Sequence, residues 1–532
     1  MIGQDRAPCD EGALRAGASS DPACPAQARR WVLATSIVGS SMAFIDGSVV
    51  NVALPALQSE LAVSIRGAQW VLNAYLLMLG ALILVGGSAG DRFGLRRVFV
   101  AGVVVFTLAS LACGLAPGVD ALVVARAAQG VGGALLVPNS LALISAAYPE
   151  DERGRAIGTW AGFSALTMAL GPVLGGWLVD VSTWRAIFFV NVPVALLALA
   201  LAYLRVPELR GTARRAPLDW RGAVLATAGL GALAWGLTAA PEQGWANPVV
   251  LVVLVAGALL LVAFVWSQRV SRAPMMPLGL FSSREFSGAN AMTLLLYCAL
   301  SGAMFFLPFN LVGLQGYSAA GAGAAFLPLT LAMGVLSRWS GGLVARYGAR
   351  MPLIVGPVVV AAGFALLAVP GIGGSYWTTF FPAMVVLGFG MAISVAPLTT
   401  TVLGSVDDHH AGTASGINNA VARIAGMLAV ALLGALAVVA FGSALESRLD
   451  ALRLDPDVRG AIEAQVPALA AARVPPQLQG FARHAVQFAF DAAFLHAFRI
   501  VMLVSCVLSL ASAWCAARTI GVYEKRLGRE GG

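Results

Sequence analysis

The feature that most constrains this chain is a succession of apolar runs, each close to the roughly 20 residues an α-helix needs to cross a hydrocarbon core about 30 Å thick. They lie near 31–54, 69–89, 98–116, 120–147, 156–179, 185–205, 221–240, 247–267, 287–310, 319–340, 352–370, 377–400, 412–440 and 491–516. Of the 532 residues 59% are hydrophobic and 11% charged, whereas a soluble domain carries about a quarter charged residues. So few charges cannot cover a water-soluble surface, and the membrane becomes the solvent. Without water, every backbone N–H and C=O in a spanning segment needs an internal partner, which these runs can supply as helices. The expected fold class is an all-α polytopic membrane protein with fourteen transmembrane helices.

An even number of spans puts both termini on one side, and short cytoplasmic loops retain positive charge. Arg29 and Arg30 precede the first run. Alternate loops then carry Arg92, Arg96 and Arg97; Arg153 and Arg155; Arg210, Arg214 and Arg215; Arg269, Arg272 and Arg284; Arg346 and Arg350; and the chain closes with Lys525, Arg526 and Arg529. The opposite short loops hold little beyond Arg66 and Arg185. Both termini are therefore expected to be cytoplasmic, in a multi-pass plasma-membrane protein surrounded by lipid.

Several function classes drop out. The net charge of +8 sits in short loops, without the soluble basic face that nucleic acid requires. Lys525 is the sole lysine and is followed by Arg526, where a phosphate-binding loop needs Ser or Thr. Cys9, Cys24, Cys113, Cys298, Cys506 and Cys515 lack zinc or redox spacing, and the last four read as small apolar filler. The run Asp407, Asp408, His409, His410 reads as the solvated start of a helix near Ala411, and no metal is expected. Residues 1–30 form a polar tail, not a cleaved signal peptide. Paired catalytic acids, a His-Glu-x-x-His helix or a nucleophile with a base at membrane depth are not found, so no enzyme is expected.

A weak internal repeat divides the chain. Gly87–Arg96 reads GSAGDRFGLR and Gly341–Arg350 reads GGLVARYGAR, both closing an apolar run on the cytoplasmic side, with Ala345 where the first copy has Asp91. Parallel repeats of this kind let secondary transporters hold one site between two rocking halves. The expected organisation is a tail (1–30), a six-helix bundle (31–205), two extra helices with linkers (206–286), a second six-helix bundle (287–516) and a tail (517–532). Within the second bundle, 441–490 is a long external stretch. Leu445, Leu449 and Leu452 hint at a short amphipathic helix there, and a solvated loop and a lid both remain open.

Five segments in order carry a likeness to a known family: IDGSVVNVALP from Ile45, GSAGDRFGLRR from Gly87, RAAQGVGGALL from Arg126, the glycines and proline at Gly162, Gly171, Pro172, Gly175 and Gly176, and WRAIFFVNVP from Trp184. The sequence resembles the major facilitator superfamily, specifically its 14-helix drug/proton antiporter branch of the EmrB/QacA type. The likeness spans the chain and is denser in the first half. It implies two six-helix bundles plus two extra linking helices, small-molecule export driven by the proton gradient, and no cofactor. Some members of the branch work with periplasmic adaptors, and nothing in this sequence calls for one.

Asp46 is the leading candidate for proton coupling, because a carboxylate inside a hydrophobic span is costly and usually marks a pathway or proton relay. Apolar surroundings favour a carboxyl group's neutral form, so such a group can hold a proton and release it to an incoming cation. Arg126 is expected at similar depth, both lying roughly 10 to 14 Å from the external ends of their helices. A permanent cation there opposes desolvation, and the resemblance implicates this arginine in proton coupling. A static tether between helices is the competing reading.

Asp91, Arg92, Gly94, Arg96 and Arg97 make a tight charged turn. The resemblance adds a cytoplasmic gate, with Asp91 latching onto the N-terminal end of a helix in the other half. It also associates the Gly162–Gly176 stretch with antiporters, where close, kinked packing keeps the pathway from leaking protons; simple packing serves equally well. Candidates for the substrate cavity are Gln69, Trp70, Asn73, Tyr75, Gln129, Asn139, Asn191, Asn290, Tyr297, Asn418 and Asn419, with Arg423 in a late span. For each alone, an ordinary interhelical hydrogen bond is the simpler reading. No acid occurs in the spans from 319 to 400, which favours neutral or monocationic substrates. Alternatives are a dedicated exporter of one endogenous metabolite, such as a self-made antibiotic or an amino acid, and a non-transporting sensor or channel.

Overall fold

A computed structural model of the chain describes residues 26–209, 218–407, 411–452 and 454–521. The expectations that rest on residues 1–25, Arg210, Arg214, Arg215, Asp408, His409, His410, Arg453 and residues 522–532 lie outside the described residues. Among the described residues, fourteen helices are long and apolar enough to cross a membrane. The first eight are α1 (Ala26–Leu61), α2 (Ile65–Phe93), α3 (Leu95–Gly114), α4 (Val119–Ala147), α5 (Glu150–Val181), α6 (Asn191–Arg205, completed to the span Ala186–Arg205 by the short helix before it), α7 (Trp220–Gln243) and α8 (Pro248–Val270). The last six are α9 (Arg284–Phe309), α10 (Leu327–Tyr347), α11 (Arg350–Leu367), α12 (Phe381–Gly404), α13 (Ala411–Leu449) and α14 (Gly480–Thr519). A short helix, Ala319–Ala324, leads into α10.

Helices α1, α5, α13 and α14 run well past the apolar stretches that announce them. Hydropathy reads only the part of a helix that lies in hydrocarbon, and polar turns continue the same hydrogen-bond ladder beyond it. One consequence corrects the reading of 441–490. Leu445 and Leu449 belong to α13 and are fully buried, and the short outer helix is Pro456–Glu463, capped by Asp455 and anchored by buried Ile462.

In the first bundle α4 packs on α2 and α3, and α1 on α4, α5 and α6. In the second, α11 packs on α12 and α14, α9 on α13 and α14, and α10 on α12. Small residues allow these approaches: a Cβ on Gly86 would collide with the Ala134 carbonyl of α4, and one on Gly132 with the Phe106 backbone of α3. The repeated turn is one structure twice. α2 ends at Gly94 (φ 104°) and α10 at Gly348 (φ 72°), each N–H closing back four residues onto the Gly90 or Val344 carbonyl. Those φ values favour glycine, so the repeat keeps its glycine while its acid is lost.

The extra helices do more than link. α7 lies against both α2 and α13, across the seam between the bundles, and α8 packs on α7. α8 is apolar all round and 11% buried, as a helix solvated by acyl chains should be.

The seam between α5 and the 319–347 segment is shut at one end and open at the other. Away from the face where α1 begins, a Cβ on Gly176 would collide with the Ala319 carbonyl, and one on Gly323 with the Pro172 carbonyl. Towards the face where α1 begins, a Cβ on Gly154, Gly158, Gly162 or Gly342 would meet nothing within 4 Å. Gly176→Val should therefore pry the closed end apart. In a cysteine-depleted background, Ala320→Cys should then react faster with a membrane-impermeant maleimide, whereas Gly162→Val should leave the rate unchanged.

Candidate functional site

Asp46 is fully buried inside the first bundle, enclosed by α1, α2, α3, α4 and the segment that begins α6. Arg126 Nη1 of α4 donates to Asp46 Oδ2 at 2.5 Å and to Gln129 Oε1 at 2.7 Å. Gln129, one helical turn from Arg126, donates its Nε2 to Asp46 Oδ1 at 2.8 Å and to Ser110 Oγ at 3.3 Å. Asn191 Nδ2 donates to Ser110 Oγ at 2.9 Å and reaches Asp46 Oδ1 at 3.5 Å. Arg126 Nε donates to the Val71 carbonyl at 3.0 Å, and its guanidinium carbon lies 4.4 Å from the Tyr75 ring centre. The Tyr75 hydroxyl reaches back to the Ala43 carbonyl of α1 at 3.4 Å.

Each partner suits its place. An ionised carboxylate only accepts, arginine only donates, and the glutamine amide does both, so Gln129 can bridge the pair. Arginine supplies several donors in a rigid fork and presents a flat face to an aromatic ring, which lysine cannot. Arg126 Nη2 is buried without a hydrogen-bond partner. Ser110 also donates to the Phe188 carbonyl at 2.9 Å, tying α3 to the turn before α6.

The sequence-derived candidates sort into distinct groups. Asp46, Arg126, Gln129, Tyr75 and Asn191 come together. Gln69 Nε2 donates to the Val430 carbonyl at 2.8 Å, crossing from α2 to α13, and Trp70 Nε1 donates to Thr238 Oγ1 of α7 at 3.1 Å. Asn139 donates to the Gly86 carbonyl at 2.8 Å, so it joins α4 to α2. Asn418 donates to Thr293 Oγ1 at 2.7 Å and to Asn290 Oδ1 at 3.3 Å, joining α13 to α9. Asn73 is buried without a side-chain partner, Tyr297 is half-buried, and Asn419 is exposed.

In the α5 stretch, Gly171 and Gly175 are pressed against Ser48 and Val49 of α1, Pro172 and Gly176 meet the 319–324 helix, and Gly162 stands apart. The charged turn is clamped from within its own bundle. Glu208 accepts from the Arg96 backbone N–H at 3.2 Å and pairs with Arg96 and Arg97 at 3.6 and 3.5 Å, while Arg92 is exposed and stacks on Phe93. Asp91 makes no latch to the second half among the described residues.

The reading of the sequence missed two acids. Glu208 follows the end of α6, and Asp180 sits in the last turn of α5, the end of a helix where a carboxylate is least welcome. That misplacement is the signal that could have found Asp180. It serves another helix, accepting from the Ala319 and Ala320 N–H groups at 3.0 and 2.8 Å and holding the closed end of the seam.

Residues 36–430 match the Major Facilitator Superfamily. The chain belongs to that family. The relatives include "Multidrug resistance protein Stp" of Mycobacterium tuberculosis (strain CDC 1551 / Oshkosh), 36% identical over 80% of this chain and 79% of its own length. Another is "Puromycin resistance protein pur8" of Streptomyces alboniger, 38% identical over 77% and 82%. The "Tetracenomycin C resistance and export protein" of Streptomyces glaucescens is 36% identical over 79% and 78%. Among solved structures, the chain resembles a bacterial homologue of the human lysosomal transporter Spinster in an inward-facing and unoccupied conformation. The TM-score is 0.67 at 17% identity, covering 93% of this chain and 98% of that one. A D-xylose–proton symporter gives 0.58 at 14% identity over 92% and 98%. These likenesses establish the superfamily fold expected from the sequence: two six-helix bundles with two additional helices.

Removing one member of a buried ion pair strands the other. Arg126→Met should lower stability by about 3 to 5 kcal/mol, read as thermal unfolding in detergent. Asp46→Leu combined with Arg126→Met should regain most of that loss. A double variant no more stable than Arg126→Met would show that the pair is not what the single change disrupts.

Proposed function

We propose that this chain exports small hydrophobic drugs or antibiotics, neutral or cationic, across the plasma membrane in exchange for protons, with both termini cytoplasmic. The observation that carries the reading is the enclosed Asp46–Arg126–Gln129 group beside a seam shut at one end and open at the other. With the arginine-rich loops cytoplasmic, the open end of the α5 seam faces the cytoplasm, which supports an inward-facing stage of an alternating-access cycle, while α2 and α13 stay packed there through Leu84 and Gly416. The drug and antibiotic resistance relatives support the cargo class.

In this cycle Asp46 is the proton carrier and Arg126 its counter-ion. A proton on Asp46 turns one acceptor oxygen into a donor and cancels the charge that Arg126 is paired with, so the guanidinium must find a new partner. Asp46 is enclosed, and cargo at the seam does not touch it in this state. Competition between proton and cargo is therefore transmitted, and Tyr75, stacked on Arg126, is the side chain placed to do it. Gly171, Pro172, Gly175 and Gly176 make the tight hinge by which α5 holds α1 and the second half. Asp91, Arg92, Gly94, Arg96 and Arg97 form the cytoplasmic gate.

A dedicated exporter of one endogenous compound is the second reading. It is favoured by relatives whose names pair resistance with a single antibiotic, tetracenomycin C among them. A broad panel of drugs tested against expressing cells separates the two.

Two measurements in proteoliposomes test the coupling. Asp46→Asn should abolish uptake driven by a pH gradient and spare counterflow of drug between compartments; uptake that persists unchanged would remove Asp46 from the role. For one proton exchanged, a monovalent cation should draw on the pH gradient alone, about 1.4 kcal/mol per unit, whereas a neutral drug should also gain about 2.3 kcal/mol per 100 mV. Clamping the potential at zero should therefore slow the neutral substrate and leave the cation unaffected.

A further inference from the structure

Asp46, Arg126 and Arg423 are charged side chains deep in their spans, and the first two neutralise each other. Arg423 has no such partner: no carboxylate lies within ion-pair distance of it among the described residues. It sits on α13 about 18 Å along the helix from Ala411.

Its surroundings place Arg423 at the seam. A Cβ on Gly80 of α2 would lie 3.2 Å from the Arg423 Cβ, so the two halves almost touch at its backbone. The side chain is half-buried and lies within electrostatic range of the Tyr75 and Tyr297 hydroxyls. Asn419, one turn earlier on the same face of α13, is exposed. Its neighbour Ile424 turns the other way, into the apolar cluster with Leu77, Leu230 and Ala234. An unpaired cation at this depth is costly and is kept where it meets a mobile partner of opposite charge.

We propose that Arg423, flanked by Asn419 and Tyr297, is an anion subsite at the seam that takes the carboxylate of a small hydrophobic substrate. The inference rests on the transport reading and widens its cargo: beside neutral and cationic drugs, the chain handles hydrophobic acids. The guanidinium fork matches a carboxylate; the Tyr297 phenol and the second amide hydrogen of Asn419, whose Nδ2 already donates to the Ser415 carbonyl at 3.0 Å, supply neutral donors. Arg423 also lies near Tyr75, whose ring carries Arg126, so an acid bound here is one side chain removed from the proton site.

The test compares dansylglycine with its methyl ester, an acid and a neutral molecule of nearly the same shape. Binding is read as tryptophan-to-dansyl energy transfer with purified full-length protein in phosphatidylcholine nanodiscs. Arg423→Met should weaken binding of the acid at least about tenfold, the loss expected for a charge-assisted contact, and change the ester less than about twofold. Arg423→Lys should restore part of the acid binding, and unchanged ester binding certifies that the variants are folded. Equal losses for both probes, or no loss for the acid, would overturn the subsite. A wild type that binds and transports the ester but ignores the acid would overturn it and leave the transport reading standing; failure of both probes to bind or move would overturn both. Adding phosphatidylglycerol to the nanodiscs identifies the competing source: if it displaces the acid completely, the site belongs to lipid phosphate and the substrate assignment fails.

Discussion

A carboxylate at the centre of a membrane protein needs a counter-charge, and in this chain the Asp46–Arg126 pair sets what the helices around it must be. Arg126 cannot shed its proton, so the pair has to be tight and held by further hydrogen bonds to be tolerated, and all but its Nη2 finds a partner. Gln129 sits one turn along because that is where an amide can bridge both partners. Gly130 and Gly132 flank it because α2 and α3 have to come within backbone reach: a Cβ on Gly130 would strike the Tyr75 carbonyl, and one on Gly132 the Phe106 backbone. The same closeness lays the Tyr75 ring over the guanidinium and brings the Val71 carbonyl to Arg126 Nε. Glycine pattern, aromatic position and polar residues of the first bundle thus follow from one electrostatic requirement.

The seam obeys a different rule. Between the halves the contacts are ones that can be remade: a carboxylate on two backbone N–H groups at Asp180, a glutamine amide on a carbonyl at Gln69, and glycine backbones passing Ala319 and Pro172. The outer segment adds one more, Gln58 of α1 donating to the Ala468 carbonyl at 3.1 Å, with Leu469 buried beneath. Interhelical hydrogen bonds in membranes contribute about 1 kcal/mol each, so breaking a few of them is compatible with a rocking motion, whereas the first bundle's ion pair is not easily opened.

Much of this was legible in the sequence, because lipid leaves the chain few options. Fourteen apolar runs announce fourteen helices, an isolated aspartate and arginine in two of them announce a pair, and the repeated glycine turn announces two related halves. The extent of α13 was hidden, since its turns beyond the hydrocarbon are polar and hydropathy is blind to them. The roles of Gln69, Asn139 and Asn418 were hidden for another reason: a polar residue in a span says that a partner exists but not on which helix, and only packing chooses between the seam and the bundle interior. Asp180 and Glu208 went unread, although Asp180 stands in the last turn of a helix, where its charge does not fit, and Glu208 accepts from the first turn of α3.

The two halves share a topology and divide the charge. The second copy of the turn keeps Gly348 and replaces Asp91 by Ala345, and the acid-free spans from 319 to 400 contain nothing equivalent to Asp46. This asymmetry is useful to an exchanger. A carboxylate exposed to cargo would bind cations tightly and resist releasing them, and one exposed to water on both sides would leak protons. In the proposed exchange, Asp46 enclosed in one bundle and Arg423 at the seam keep the proton's site apart from the drug's. Separation allows the cargo to vary in shape and charge without changing the chemistry of the proton step. It also demands a mechanical link, and Tyr75, bonded to α1, stacked on Arg126 and within reach of Arg423's field, is where that link is shortest.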